Sequence, residues 1–249
     1  MTFIAPQSLP EQIAEHIREK IIRFELKPGE NIREAQLAAE LQVSRSPVRE
    51  ALKLLEKQRL VEQTPRKGTK VTGLSKDFLT SLYNIISVLI VLAAKECTQK
   101  ATPDDLKKIN QTVLNAADAV HRKDIHDYYT AFFDFCLNSL KAARDPLLEE
   151  MILDLMPSLR RMQYLTFSLR GDILAENLEI IERGNGYLQQ GSAEMAVNTV
   201  IEYITKEKAV ALDTIETQLQ TINQRLSTLP AIPGGKASAA KPPKHREAL

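Results

Sequence analysis

Apolar positions in this chain repeat at helical spacing over two stretches, separated by a short region where β-branched and polar residues alternate. From Ser8 to Leu26, Ile13, Ile17, Ile21 and Ile22 mark one side of a helix; Ser8 and Glu11 stand in capping-box register and Pro10 lies in the first turn. The turn Lys27–Glu30 ends it. A shorter helix is predicted from Arg33 to Leu41, with Leu37, Ala38 and Leu41 on one face. A third runs from Arg45 to Arg59, with Ser44 placed to cap it, Pro47 in its first turn, and Val48, Ala51, Leu52 and Leu55 as its inner stripe. Val61–Gln63 and Thr69–Thr72 are β-prone and flank a Pro65–Gly68 turn, which predicts a two-stranded wing.

From Lys76 onward, proline and glycine become sparse and long apolar-periodic segments take over, with turn signals at Thr102–Asp105, Arg144–Pro146, Gly171–Asp172 and Gln190–Ser192. Helices are predicted near 76–100, 103–122, 125–142, 146–169, 173–190 and 193–227, which together make a bundle. After Leu229 the chain is rich in Pro, Gly, Ala and Lys and has too little apolar surface to bury, so a disordered tail is expected. The predicted fold is therefore mainly α: a winged helix-turn-helix over residues 1–75, an all-helical bundle over 76–228, and the tail 229–249.

Composition adds limits. A chain of 249 residues, 43% hydrophobic and 26% charged, suits two modest domains. Cys97 and Cys136, the two cysteines, are too few for a disulfide framework, and the start lacks the pattern of a signal peptide, which predicts a cytoplasmic location. The most apolar run, Ile85–Ala94, is shorter than the roughly 20 residues a bilayer requires and reads as a buried helix, so no membrane segment is expected. No Ser-His-Asp order, phosphate loop, cofactor fingerprint or paired carboxylate set stands out; neither an enzyme nor a cofactor is expected.

The net charge of the whole chain is only +1, so any surface for nucleic acid must come from local clustering. Between Arg45 and Lys70 there are eight basic residues (Arg45, Arg49, Lys53, Lys57, Arg59, Arg66, Lys67, Lys70) against three acidic ones (Glu50, Glu56, Glu62), an excess of +5. Arg45 and Arg49 stand four residues apart, on one face of the predicted helix, opposite Val48, Leu52 and Leu55, and Ser44 and Ser46 add hydroxyls at its start. A helix greasy on one side that offers long cations and small hydroxyls from its N-terminal end is built to meet base edges and phosphates. Such arginines are often plain solvated charge; a leading capped helix, a short helix and a basic wing in this order favour the DNA reader.

The stretch KPGENIREAQLAAELQVSRSPVREALKLLEKQRLV with the wing PRKGTKV resembles the N-terminal domain of the GntR family of bacterial regulators, in particular the FadR-type branch with an all-helical FCD effector domain. The resemblance implies a homodimeric transcriptional regulator, a repressor in the simplest case, that binds inverted-repeat operators in double-stranded DNA and answers to a small organic effector. It also implies roles: Arg45 and Arg49 in the major groove, Arg33, Ser44 and Ser46 on phosphate or bases nearby, and Arg66, Lys67 and Gly68 in a wing that approaches the minor groove.

In many FCD domains a carboxylate and three histidines hold a divalent metal. Aligned on this chain, those positions fall at Phe132, Cys136, about Ile181 and Tyr203, and none is a usual ligand set, so no metal is expected. The polar residues often seen in the first effector helix are replaced near Ile86 and Ile90. Phe132, Phe135, Cys136, Met162, Tyr164, Phe167 and Tyr203 are candidates for an apolar effector pocket, or alternatively plain core. Arg160, Arg161 and Arg170 are candidates for the head group of a carboxylate or acyl-CoA, or alternatively surface charge. The connection Gly73–Asp77 is expected to pass effector binding to the reading heads through the first bundle helix. The competing reading is an effector-independent or architectural DNA-binding regulator with a degenerate site.

Overall fold

A computed structural model describes residues 8–64, 68–171 and 173–227, with side chains described through 217. The expected tail 229–249 and the wing residues Arg66 and Lys67 lie outside the described residues. The N-terminal part runs α1 (Leu9–Ile22), β1 (Asn31–Ile32), α2 (Glu34–Glu40), α3 (Arg45–Lys57), β2 (Val61–Thr64) and β3 (Gly68–Val71). Glu11 accepts from both the backbone N and the Oγ of Ser8, at 2.7 and 2.9 Å, which closes the N-terminal turn of α1 as its capping-box register predicts. The tight turn between α2 and α3 places Gln42 at φ 56°, with Val43 N donating back to Ala38 O at 3.0 Å. Ile13, Ile17 and Ile21 of α1 pack with Ala38, Val48, Leu52 and Leu55 in one core, so the stripe predicted for α3 faces inward.

The wing differs from expectation in one respect. It is a three-stranded antiparallel sheet in the order β1-β3-β2, with Ile32 opposite Thr69 and Thr64 opposite Gly68. The two residues of β1 are too few to show alternation, and only pairing with β3 makes them a strand.

The second part comprises α4 (Lys76–Lys100), α5 (Pro103–Arg122), α6 (Ile125–Ala142), α7 (Pro146–Leu169), α8 (Ile173–Gln189) and α9 (Ala193–Ser227). Capping residues set its boundaries: the side chains of Ser75, Thr102, Asp124 and Asp145 each accept from a backbone N–H in the first turn of α4, α5, α6 and α7. The helices enclose a continuous core centred on Phe132, Phe133, Tyr128, Met162 and Phe167.

The expectation that Ile85–Ala94 is buried needs correction. Ile86 and Ala93 are buried, but Ile85, Val88 and Leu92 are 54%, 69% and 43% exposed. The run is apolar because α4 has two apolar faces, one inside the bundle and one outside it. By length and composition α4 could cross a bilayer, yet Leu79, Tyr83, Ile86 and Cys97 commit its inner face to the core against α9 and α6.

Candidate nucleic-acid interface and internal cavity

The reading surface follows from how α2, α3 and the sheet meet. Val48, Ala51, Leu52 and Leu55 pin α3, leaving Ser44, Arg45, Ser46 and Arg49 exposed at and near its N-terminal end. Ser44 occupies the N-cap backbone position, but its side chain makes no capping hydrogen bond, contrary to the capping role expected for it. Its hydroxyl and the first N–H groups of α3 therefore remain available to an anion. Arg49 reaches back to α2, where Nε and Nη2 donate to Glu34 Oε2 at 3.3 and 3.1 Å. This ion pair is too exposed to add much stability; its effect is to hold the guanidinium above the helix surface.

Arg33 is exposed and holds the position before the first residue of α2, immediately after β1, without a side-chain capping hydrogen bond. Pairing of β1 with β3 brings Arg33 beside Gly68 and Thr69, so Asn31, Arg33, Glu34 and Gly68 share one shallow polar cleft. Gly68 has φ +88°, a conformation other residues adopt only with strain, and it opens β3 opposite Thr64, at the turn end of the wing. Arg33, Arg49 and Gly68, distant in sequence, are thus joined by β1 and Glu34, two features without a strong sequence signal. Lys57, counted in the basic cluster, is placed elsewhere: its Nζ lies 3.1 Å from Asp154 of α7, at the junction of the two parts.

Inside the bundle, helices α4, α6, α7, α8 and α9 surround a cavity of about 160 Å³. Phe132, Phe135, Cys136 and Tyr203 line it. So does Ile181, so all four positions aligned with metal ligands face one space. Gly184 lets α8 approach α9 here; a Cβ would lie 2.9 Å from Thr199 Oγ1. The donor set does not fit a divalent cation. Burial pushes the Cys136 thiol up to about 12 and the Tyr203 phenol well above its usual value, so both resist losing the proton that coordination would require. Among the described residues, no group of three or more His, Cys, Asp and Glu is arranged to hold a metal ion.

The arginines and Tyr164 proposed for the effector are placed away from the cavity wall. Arg160 turns toward the N-terminal part: its Nη2 lies 3.1 Å from Glu19 of α1, its Nε donates to Tyr129 Oη at 3.1 Å, and it sits over the Tyr129 and Phe133 rings. Arg161 is 1% exposed, donates to Thr72 O at 2.8 Å and lies over the Phe24 ring, so it buttresses the connection into the bundle. Arg170 pairs with Asp213 near the surface, and Tyr164 packs edge-on against Tyr129. Met162 and Phe167 are wholly buried core. Arg160 and Arg161 thus take partners from the N-terminal part and the connection, and Arg170 takes one from α9, which leaves no cation among the described residues of the cavity wall.

Sequence reasoning missed Glu207, which lines the cavity at 1% exposure. Asn177 Nδ2 donates to its Oε1 at 2.6 Å, while Oε2 has no hydrogen-bond partner. Tyr83 of α4, Tyr128 of α6, Gln163 of α7 and Tyr203 of α9 stand around it, and the nearest cation, Lys206, is engaged with Glu176 at 2.7 Å. Burial raises the carboxyl from its ordinary 4.5 to about 6, opposed in part by Asn177, Lys206 and Gln163. The only signal in sequence was a glutamate on the apolar side of a long helix, four residues after Tyr203.

Because the folded carboxyl binds its proton more tightly than the unfolded one, stability is greatest on the acid side of this window. It falls as pH rises from 4.5 through about 6 and levels off above. The loss amounts to about 2 kcal/mol. Glu207→Gln is expected to abolish this decline, so that thermal unfolding of the variant and the parent chain diverges near neutral pH and converges near about pH 5. Parallel melting curves at every pH would remove the assignment of Glu207 as a buried, strained acid.

Residues 9–71 match the bacterial regulatory proteins of the gntR family, and residues 81–206 match the FCD domain. The chain is 34% identical over 110 residues to the HTH-type transcriptional regulator YdhC of Bacillus subtilis (strain 168), a match covering 44% of this chain and 49% of that one. The chain thus spans about half the length of that relative. It is 24% identical over 161 residues to the HTH-type transcriptional repressor RspR of Escherichia coli (strain K12), covering 65% and 71% of the two chains. The solved structure of E. coli McbR/YncC shares the fold, with a TM-score of 0.75 at 21% identity over 84% of this chain and 100% of that one.

Proposed function

The chain belongs to the GntR family of bacterial regulatory proteins and carries its FCD domain, and on that premise we propose that it is a homodimeric, cytoplasmic, effector-controlled repressor that reads an inverted-repeat operator. The observation that carries the proposal is the exposed set Ser44, Arg45, Ser46 and Arg49 at the N-terminal end of α3, a helix pinned from beneath, with exposed Arg33 at the start of α2 beside it. Arg66 and Lys67 extend the same basic surface in sequence. The name of RspR as a repressor supports the sign of control, and the FCD match supports placement in the FadR-type branch. The families matched are those of regulators, not enzymes.

In this reading the internal cavity holds the effector, without a metal. The relay runs through α7. One side of α7 carries Met156, Leu159 and Gln163 to the cavity wall, while the other carries Arg160 to Glu19 and Arg161 to Thr72. Ile22 of α1 packs into the core of the bundle, so the reading head is seated on the effector domain by apolar contact as well. A ligand that repositions α7 would therefore tilt α1, and with it the spacing of two recognition helices. This route complements the connection Gly73–Asp77 expected from sequence.

The test combines a thermal-shift screen of small amines, alcohols, organic acids and acyl-CoAs with anisotropy titrations on the DNA upstream of the protein's own gene. A ligand from the screen is expected to change operator affinity by roughly 5- to 150-fold, the usual range of allosteric coupling. In Arg160→Gln the ligand should still raise the melting temperature, while its effect on DNA falls to within about twofold. A ligand that binds but leaves operator affinity of the parent chain unchanged would favour the effector-independent regulator. Binding without sequence preference would overturn both.

A further inference from the structure

The unpartnered atoms around the cavity say which end of a ligand it recognises. Glu207, Gln163 and Tyr83, at 1%, 5% and 3% exposure, all line it. Glu207 Oε2, Gln163 Oε1 and Tyr83 Oη have no hydrogen-bond partner, and Tyr203 Oη, beside them, accepts from Gln163 Nε2 at 3.4 Å. Two of those orphaned atoms are pure acceptors, one of them a carboxylate oxygen, and a phenol can also accept. Most of the rest of the wall is apolar, Ile86, Ile90, Phe132, Ile180 and Ile181 among it, with the hydroxyls of Thr98, Ser139 and Thr199 as its polar atoms. Leaving buried acceptors unmet is costly, so the site favours a molecule that arrives with donors.

We infer that the effector is a small apolar molecule ending in a primary amine, whose ammonium donates to Glu207, with Gln163 and Tyr83 or Tyr203 accepting its remaining N–H bonds. This rests on the reading of the cavity as the effector site. An ammonium carries three donors and needs acceptors alone; Glu207 Oε2 and Gln163 Oε1 can only accept, and the phenols of Tyr83 and Tyr203 can accept while turning their own O–H elsewhere. The fold has already stripped water from the carboxylate, so on binding only the ligand has to give up its hydration. A carboxylate ligand meets the opposite situation: an anion beside Glu207 with no arginine or lysine among the described residues of the cavity wall. Size points the same way. A cavity of about 160 Å³ is close to the ~150 Å³ that admits benzene in an engineered apolar core, which suits a single ring or short chain and has no room for the nucleotide of an acyl-CoA. Glu207 faces Asn177 from α8, Gln163 from α7, Tyr83 from α4, Tyr128 from α6, and Tyr203 and Lys206 from its own helix. None of these supplies a free cation to compete with the ligand.

Benzylamine, benzyl alcohol and benzoate share one ring and differ in the head group, so calorimetric titration of the full chain with each at near-neutral pH isolates the recognition. Benzylamine is expected to bind roughly tenfold or more tightly than benzoate. In Glu207→Gln the amine should lose that advantage and bind no more tightly than benzyl alcohol, and circular dichroism shows the variant folded. Benzoate binding as well as the amine, or an amine affinity indifferent to Glu207→Gln, overturns this inference and leaves the effector cavity standing. Failure of all three to bind overturns the cavity as an effector site and this inference with it.

Discussion

Operator affinity is expected to fall roughly 5- to 150-fold when Arg49 is replaced by alanine, and further in the double variant Arg45→Ala Arg49→Ala, with no matching loss of stability. Both side chains project from α3 into solvent, so their removal opens no cavity and strands no buried partner. The pair between Arg49 and Glu34 is exposed and contributes little to folding. Its loss matters because the guanidinium is presented in place before DNA arrives, which reduces the ordering cost of binding. Lys57→Ala is the informative control. Lys57 carries the same charge on the same helix but is turned to Asp154, so its replacement should leave operator affinity nearly unchanged. Fluorescence anisotropy at fixed salt measures all three, and Arg49→Ala binding like the parent chain would end the assignment of α3 as the reading helix.

Val88→Asp is expected to convert a dimer into monomers and to reduce operator binding by about a hundredfold or more, because two half-sites then have to be filled independently. Ile85, Val88 and Leu92 form an exposed apolar stripe on α4, with residue spacings of three and four that keep them on one face. A contiguous stripe of this kind is the usual mark of a contact surface, and the two-fold operator of this reading calls for a second copy of the chain. With Val88 69% exposed in one protomer, an aspartate there does not disturb the fold; it would be intolerable only at the centre of an interface. Light scattering coupled to size exclusion reports the mass, and circular dichroism checks the fold. An Asp variant that remains dimeric would move the interface to another face.

Helix positions were legible from sequence because the information is local. Apolar spacing, Ser75, Thr102, Asp124 and Asp145 at the helix starts, and turn residues all act within a few positions of where they stand. The face of α3 was legible for the same reason: Arg45 and Arg49 lie opposite Val48 and Leu52 on any straight helix. The aligned positions Phe132, Cys136, Ile181 and Tyr203 also converge on one cavity, since a family pattern encodes a three-dimensional arrangement that a single sequence does not.

Partnerships across long stretches of chain were decided only by tertiary structure. Ile22 shares the periodicity of Ile13, Ile17 and Ile21 yet belongs to the core of the bundle, because the two parts meet at the end of α1. The two residues of β1 become a strand by pairing with β3, and Arg160 and Arg161 leave the effector site for Glu19 and Thr72. In sequence Glu207 is marked only by its place on the apolar side of a long helix; packing of α4, α6, α7 and α8 around α9 makes it a desolvated acceptor. Which segments are helical, and which chemistry each offers, is set locally, since backbone preference and side-chain periodicity act over a turn or two. Which of those side chains lose their water, and what they then require of a ligand, depends on neighbours brought from elsewhere in the chain, and burial of a charge is a property of that assembly.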